Sequence, residues 1–128
     1  MNKLYPFIVV ENCNEAVEYY HDIFGGEIKV LNKQEGKLLH AELHVNGSTL
    51  HFSDSYGIPV TNGENVKVMM QFDSEEEITK VFNSLKKDGK VAVDLEDTFF
   101  GALHGQIIDR NQVNWVLNFF RKNEKLRG

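Results

Sequence analysis

Cysteine occurs once, as Cys13, so the chain has no internal disulfide and no zinc site built from several thiolates. Long apolar runs are missing too. The longest near the start, Pro6-Phe7-Ile8-Val9-Val10, falls far short of the roughly 20 residues that span a bilayer, and no apolar segment with a cleavage site follows Met1. A cytoplasmic protein with no membrane partner is expected. Positive charge is in deficit: 14 Lys and Arg face 19 Asp and Glu, for a net charge of -5, so no global field attracts a polyphosphate backbone and no nucleic-acid partner is expected. P-loop, Gly-x-Gly-x-x-Gly and Gly-x-Ser-x-Gly motifs are absent, which removes nucleotide-phosphate and serine-hydrolase chemistry. Histidine, carboxylates or a shaped pocket must carry whatever chemistry there is.

The 128 residues, 41% hydrophobic and 26% charged, suit one compact domain or two small packed halves. A repeat favours paired halves. Asn12-Cys13-Asn14-Glu15 and Ser74-Glu75-Glu76-Glu77 both have the form of a helix capping box, 62 residues apart. The same offset lays Ala16, Tyr19, Tyr20 and Ile23 over Ile78, Val81, Phe82 and Leu85, at helical i, i+3, i+4, i+7 spacing. Gly25-Gly26 and Asp88-Gly89 then supply helix stops in which glycine takes positive φ. Helices are expected over 13–24 and 75–87, each preceded by one strand and followed by several. Alternation in the preceding strands turns Leu4, Pro6, Ile8 and Val10, and likewise Val66, Val68, Met70 and Phe72, toward the helix. Tyr5, Phe7 and Val9, and likewise Lys67, Met69 and Gln71, then face away. The resulting division is a first module over about 1–54, a turn-rich linker over 55–65, a second module over about 66–120 and a polar, frayed tail over 121–128.

Asn46-Gly47 lies between two alternating runs, and a two-residue Asn-Gly loop needs positive φ twice, which pins the register of the hairpin around it. Val45 then pairs with Ser48, Glu42 with His51, His44 with Thr49 and His40 with Ser53. Leu39, Ala41, Leu43, Leu50 and Phe52 form the opposite, helix-packed face. Three of the five histidines thus share one sheet face with a carboxylate. A one-sided antiparallel sheet that wets its outer face produces the same pattern. If instead the face lines a cavity, Glu42 and His51 form a proton-transfer pair or a polar anchor. In the second half, strands over 102–108 and 113–119 put Trp115, Leu117 and Phe119 on the core side, and Asn114, Val116 and Asn118 on a mildly polar, non-core side.

Taken in order, these segments resemble the vicinal oxygen chelate superfamily, which includes glyoxalase I, extradiol dioxygenases and the bleomycin and fosfomycin resistance proteins. The nearest likeness is to its PhnB-like branch. Carrying it are Pro6 to Val10 with Asn12 to Tyr20, Ile23-Phe24-Gly25-Gly26, His40-Ala41-Glu42-Leu43, Gly47 to Asp54, and Leu95-Glu96-Asp97-Thr98-Phe99-Phe100-Gly101. The departure is Asp109-Arg110-Asn111-Gln112, where the family has an Asp-Pro-x-Gly turn. The resemblance implies an α+β fold in which two βαβββ modules form curved mixed sheets around a cavity, with helices outside, in a single domain over 1–128 that pairs as a homodimer. In metal-using members it also implies one ligand from the first and one from the last strand of each module, which here are Tyr5, His51, Lys67 and Val116. Among these His51 alone is a good ligand, so no metal and no other cofactor is expected. An improvised centre from His40, Glu42, His44 and His51 is the alternative.

The expected function is metal-independent binding or sequestration of a small organic molecule. Tyr5 and Phe7 would be its apolar walls, His40, Glu42 and His51 its polar anchor, and Phe100 a lid. The competing expectation is a lyase or isomerase with Glu42 or His51 as general base and, in one variant, a divalent metal. Three further features are ambiguous and a fourth is not. Cys13 at a helix start is either a thiol of lowered pKa or a small residue tucked under the cap. The Glu96–Gly101 stretch is a gating loop or a plain capped turn. His21 and Asp22 are expected in solvent, and the spacing of His104 and Gln106 fits either a cavity face or a dimer contact.

Overall fold

The structure is a computed structural model that describes residues 2–121. Contacts part the chain between Thr61 and Asn62 into two compact units of the same design. The first contains β1 (Phe7–Val10), α1 (Cys13–Phe24), β2 (Glu27–Gln34), β3 (Lys37–Val45) and β4 (Ser48–Asp54). The second contains β5 (Val68–Gln71), α2 (Glu75–Lys86), β6 (Lys90–Asp97), β7 (Ala102–Ile108) and β8 (Asn114–Phe120). Each unit is one mixed four-stranded sheet, ordered β1-β4-β3-β2 or β5-β8-β7-β6. The first and last strands of each unit run parallel and the remaining neighbours antiparallel. The architecture is the α+β pair of βαβββ modules that the resemblance implies.

Local chemistry explains the elements. Asn12 Oδ1 accepts from the Glu15 amide at 3.2 Å and Ser74 Oγ from the Glu77 amide at 3.1 Å, and each cap contributes about 1 kcal/mol. The repeat positions of the helices turn inward: Ala16 and Tyr20, and Ile78, Val81, Phe82 and Leu85, are buried, with Tyr19 and Ile23 half-buried. In the first core Tyr20 stacks on Phe52 with centroids 5.0 Å apart, over Ala41, Leu43 and Val10. The second core has Ile107, Trp115 and Leu117 against α2. The β3–β4 hairpin has the expected register, with Asn46 at φ 48° and Gly47 at φ 82°.

Several expectations are corrected. The first strand begins only at Phe7, and Leu4 is exposed, because Pro6 has no amide to donate and contributes only its carbonyl, to the His51 amide at 3.0 Å. The second helix ends at Lys86, and Asp88, not Gly89, takes the left-handed turn at φ 65°. Asn114 and Asn118 stand on the expected non-core side but are buried there, with their amides satisfied. Leu38 is buried beside Leu39, its amide donating to Asn14 Oδ1 of α1 at 2.6 Å. Arg121, placed in the frayed tail, is clamped by Asp97 and Glu75, and the rest of that tail lies outside the described residues. The linker is tied down at both ends: Ser55 and Val60 donate to the Val10 carbonyl and to Glu11, and Asn62 donates to the Gln112 carbonyl. The atypical 109–112 turn closes through the Gln112 amide to the Asp109 carbonyl at 3.0 Å, with Gln112 at φ 70°.

Candidate functional site

In the first unit α1 covers one face of the sheet, so the other face carries the side chains free to meet a ligand. Strand register lines these up in rows across all four strands. Phe7 pairs with His51, His51 with Glu42 and Glu42 with Lys29; in the next row Val9 pairs with Ser53, Ser53 with His40 and His40 with Asn32. Register partners share a face. His40, Glu42 and His51 are half-buried while Phe7 is 60% and Tyr5 47% exposed.

Glu42 is the hub. As a carboxylate it offers only acceptors, so His44 Nε2 donates to Oε1 at 2.7 Å, and His51 Nε2 stands 3.8 Å from Oε2, at ion-pair distance. His51 Nδ1 in turn shares a hydrogen bond with His40 Nε2 at 3.1 Å. Two imidazoles thereby meet one carboxylate, and a third meets His51. Aromatic rings flank them: Tyr5 lies 5.3 Å from His51, and Phe7 lies 5.5 Å edge-on to His40 and 6.4 Å from His51 in a near-parallel stack. The structure thus brings together Tyr5, Phe7, His40, Glu42 and His51.

Phe100 belongs to the second unit, in the turn between β6 and β7, where its ring is edge-on to Phe99 and to His104 at centroid distances of 5.5 and 5.8 Å. The turn is closed by Thr98, whose Oγ1 donates to the Ala102 carbonyl at 2.8 Å. His21 is half-buried rather than solvated, and its Nε2 meets the Gly26 carbonyl at 3.1 Å; Asp22 is exposed. Cys13 is wholly buried, and burial, aided by Asp54, pushes its thiol up to about 11, the reverse of an activated helix-start thiol. An open depression of about 690 Å³ on β2, lined by His21, Gly26, Glu27, Ile28, Lys29 and His44, has Ile28 as its one large apolar side chain.

The four positions implied for a metal do not suit one. Lys67 donates its ammonium to Gln106 Oε1 at 2.8 Å, Val116 has no donor atom, and the Nδ1 of His51 is taken by His40. Among the described residues no group of three or more His, Cys, Asp or Glu is arranged to hold a metal ion. Lys29 and Asn32 are the members of this face not foreseen from sequence. The Glu35-Gly36 turn, with φ 52° and 78°, was the available signal, but irregular pairing between Val30 and Lys33 breaks the alternation needed to follow it.

A family model described as Glyoxalase/Bleomycin resistance protein/Dioxygenase superfamily matches residues 4–117. Protein PA1353 from Pseudomonas aeruginosa is 27% identical and superposes with a TM-score of 0.81, over 94% of this chain and 98% of that one. A PhnB protein from Bacillus cereus is 26% identical with a TM-score of 0.77, over 92% and 99%. Protein YjdN of Escherichia coli is 20% identical over 87% of this chain and 90% of its own.

Proposed function

Since this chain belongs to the Glyoxalase/Bleomycin resistance protein/Dioxygenase superfamily, and since chemistry resides in the site rather than the fold, we propose that it binds a small organic molecule, without a metal, on the non-core face of its first sheet. The observation that carries this reading is the pairing of exposed rings with an ordered polar cluster. Phe7 and Tyr5 are left open to solvent beside His40, Glu42 and His51, whose hydrogen bonds are already arranged. Covering an aromatic side chain contributes about 1.5–3 kcal/mol, whereas a net hydrogen bond contributes about 1 kcal/mol. Affinity therefore comes from the rings, and the imidazole–carboxylate cluster selects which hydroxyl, carbonyl or amine is accepted. A homodimer is the proposed working form. Native mass spectrometry of untagged protein from cells tests the reading. A metal-free protein carrying an organic adduct is expected; a stoichiometric divalent metal overturns it.

A second reading is favoured by the contacts of Glu42 itself. A carboxylate that meets His44 at 2.7 Å and His51 at 3.8 Å is equipped to move a proton, as a lyase or isomerase requires. Incubation of the co-purified molecule with protein in deuterated water separates the two. An enzyme transfers deuterium into a carbon position, and Glu42→Gln abolishes the transfer while binding persists. A binding protein leaves the molecule's carbon-bound hydrogens unexchanged with either chain.

A further inference from the structure

The second sheet has its own ordered face, built differently. Its row Met69, Val116, Gln106 corresponds by register to Phe7, His51, Glu42 of the first sheet, since each is read from the parallel strand through the last strand to its antiparallel neighbour. A neutral amide thus stands where the first sheet has a carboxylate, and Lys67 stands where the first has Tyr5.

Hydrogen bonds on this face run one way. Asn118 is 1% exposed; its Nδ2 donates to Gln71 Oε1 at 3.0 Å, so its Oδ1 accepts from His104 Nδ1 at 2.9 Å. His104, protonated at Nδ1, has a lone pair at Nε2, which accepts from Gln106 Nε2 at 3.1 Å. The Gln106 amide is thereby oriented with its oxygen toward Lys67, which donates to it at 2.8 Å. Every link is dictated by the one before, beginning from a buried asparagine. The result is an ammonium held in place through a neutral partner.

Lys67 is exposed; no described carboxylate stands within 4 Å of it, and its hydrogen bond goes to the neutral Gln106 amide. Glu96, the register partner of His104, is an acid on this face and makes no ion pair with Lys67. Met69, 54% exposed, and half-buried Val116 supply apolar surface in the Gln106 row. Holding a lysine in advance reduces the ordering cost of contact with an anion.

We propose that the non-core face of the second sheet is an anion-binding site centred on Lys67, which takes the oxyanion of a small molecule whose apolar body rests on Met69 and Val116. This site stands independently of the first-sheet reading. The test uses the full chain with labelled methionine methyls, glutamine side-chain amides and histidine rings, titrated with benzoate, phenyl phosphate and neutral benzamide. At least one of the two anions is expected to shift Met69 and the Gln106 amide saturably, and the stronger of the two identifies carboxylate or phosphate as the group preferred. Benzamide is expected to leave both signals in place. Lys67→Gln is expected to weaken the anion about tenfold or more, Lys67→Arg to keep it, and raised salt to weaken it in the wild type. Equal shifts from benzamide, an unchanged affinity in Lys67→Gln, or no saturable shift from either anion overturns the proposal. Anion-induced shifts confined to His40 and His51 overturn it too, and assign the binding to the first sheet.

Discussion

Two carboxylates, Asp54 and Asp109, are withdrawn from water to 2% exposure, and backbone amides satisfy much of each. Asp54 accepts from the amides of Cys13 and Tyr56 at 3.0 and 2.9 Å; Asp109 accepts from those of Asn111 and Val113 and from the Trp115 indole at 2.7 Å. The Asp54 bond fixes the start of α1 and brings Cys13 under it, where the thiol sits without water. An unfolded thiol ionises near its ordinary value of 9.0, whereas this one holds its proton to about 11. The folded state therefore binds more protons between those values, and its stability must fall as pH rises from about 9 toward 11. Denaturation midpoints at pH 8 and pH 10 are expected to differ more for the wild type than for Cys13→Ala. Equal differences contradict the buried-thiol account. Cys13 was legible in sequence as a small residue under a cap, but its partner 41 positions away was not.

At the scale of elements, the two helices end by different means although their sequences look alike. Gly25 takes φ 77° with open space around its α-carbon, whereas Gly89 is needed for close approach. A β-carbon at Gly89 would lie 2.5 Å from the Leu85 carbonyl and 2.7 Å from the Ile108 carbonyl, both backbone atoms that do not swing aside. Gly89→Ala is expected to destabilise the chain by about 1–3 kcal/mol through forced backbone movement, and Gly25→Ala by about 1 kcal/mol through its dihedral alone. Urea denaturation measures both; the reverse order contradicts the close-approach argument. The last described residue belongs to this scale as well. Arg121 bridges Asp97 on β6 and Glu75 on α2, and its guanidinium holds the Asp97 carboxyl below its ordinary value. A polar tail composition concealed that role, because ion pairing depends on which strand ends beside which helix.

For the whole molecule, the distribution of exposed apolar side chains bears on assembly. Leu4, Tyr56 and Ile58 in the first unit and Val66, Phe99 and Phe120 in the second are all open to solvent, and pairing of two copies would cover apolar surface of this kind. A homodimer is expected in native mass spectrometry at micromolar concentration, and a monomer there would contradict it. No helix among the described residues is long and apolar enough to cross a membrane.

Local chemistry explains why so much was readable beforehand. Caps, glycine stops, helical spacing and the Asn46-Gly47 turn act within a few residues, so the modules, both helix starts and the Glu42–His51 pairing followed from sequence alone. Alternation likewise put Phe7 and Tyr5 on the face opposite α1. Tertiary structure alone decided the rest. Lys29 joined the Glu42 row through an irregular edge strand, and Asn118 was buried to orient His104, Gln106 and Lys67 in turn. Those outcomes depend on bulges, on burial and on hydrogen-bond direction between residues far apart in the chain, none of which a period of 2.0 or 3.6 residues encodes.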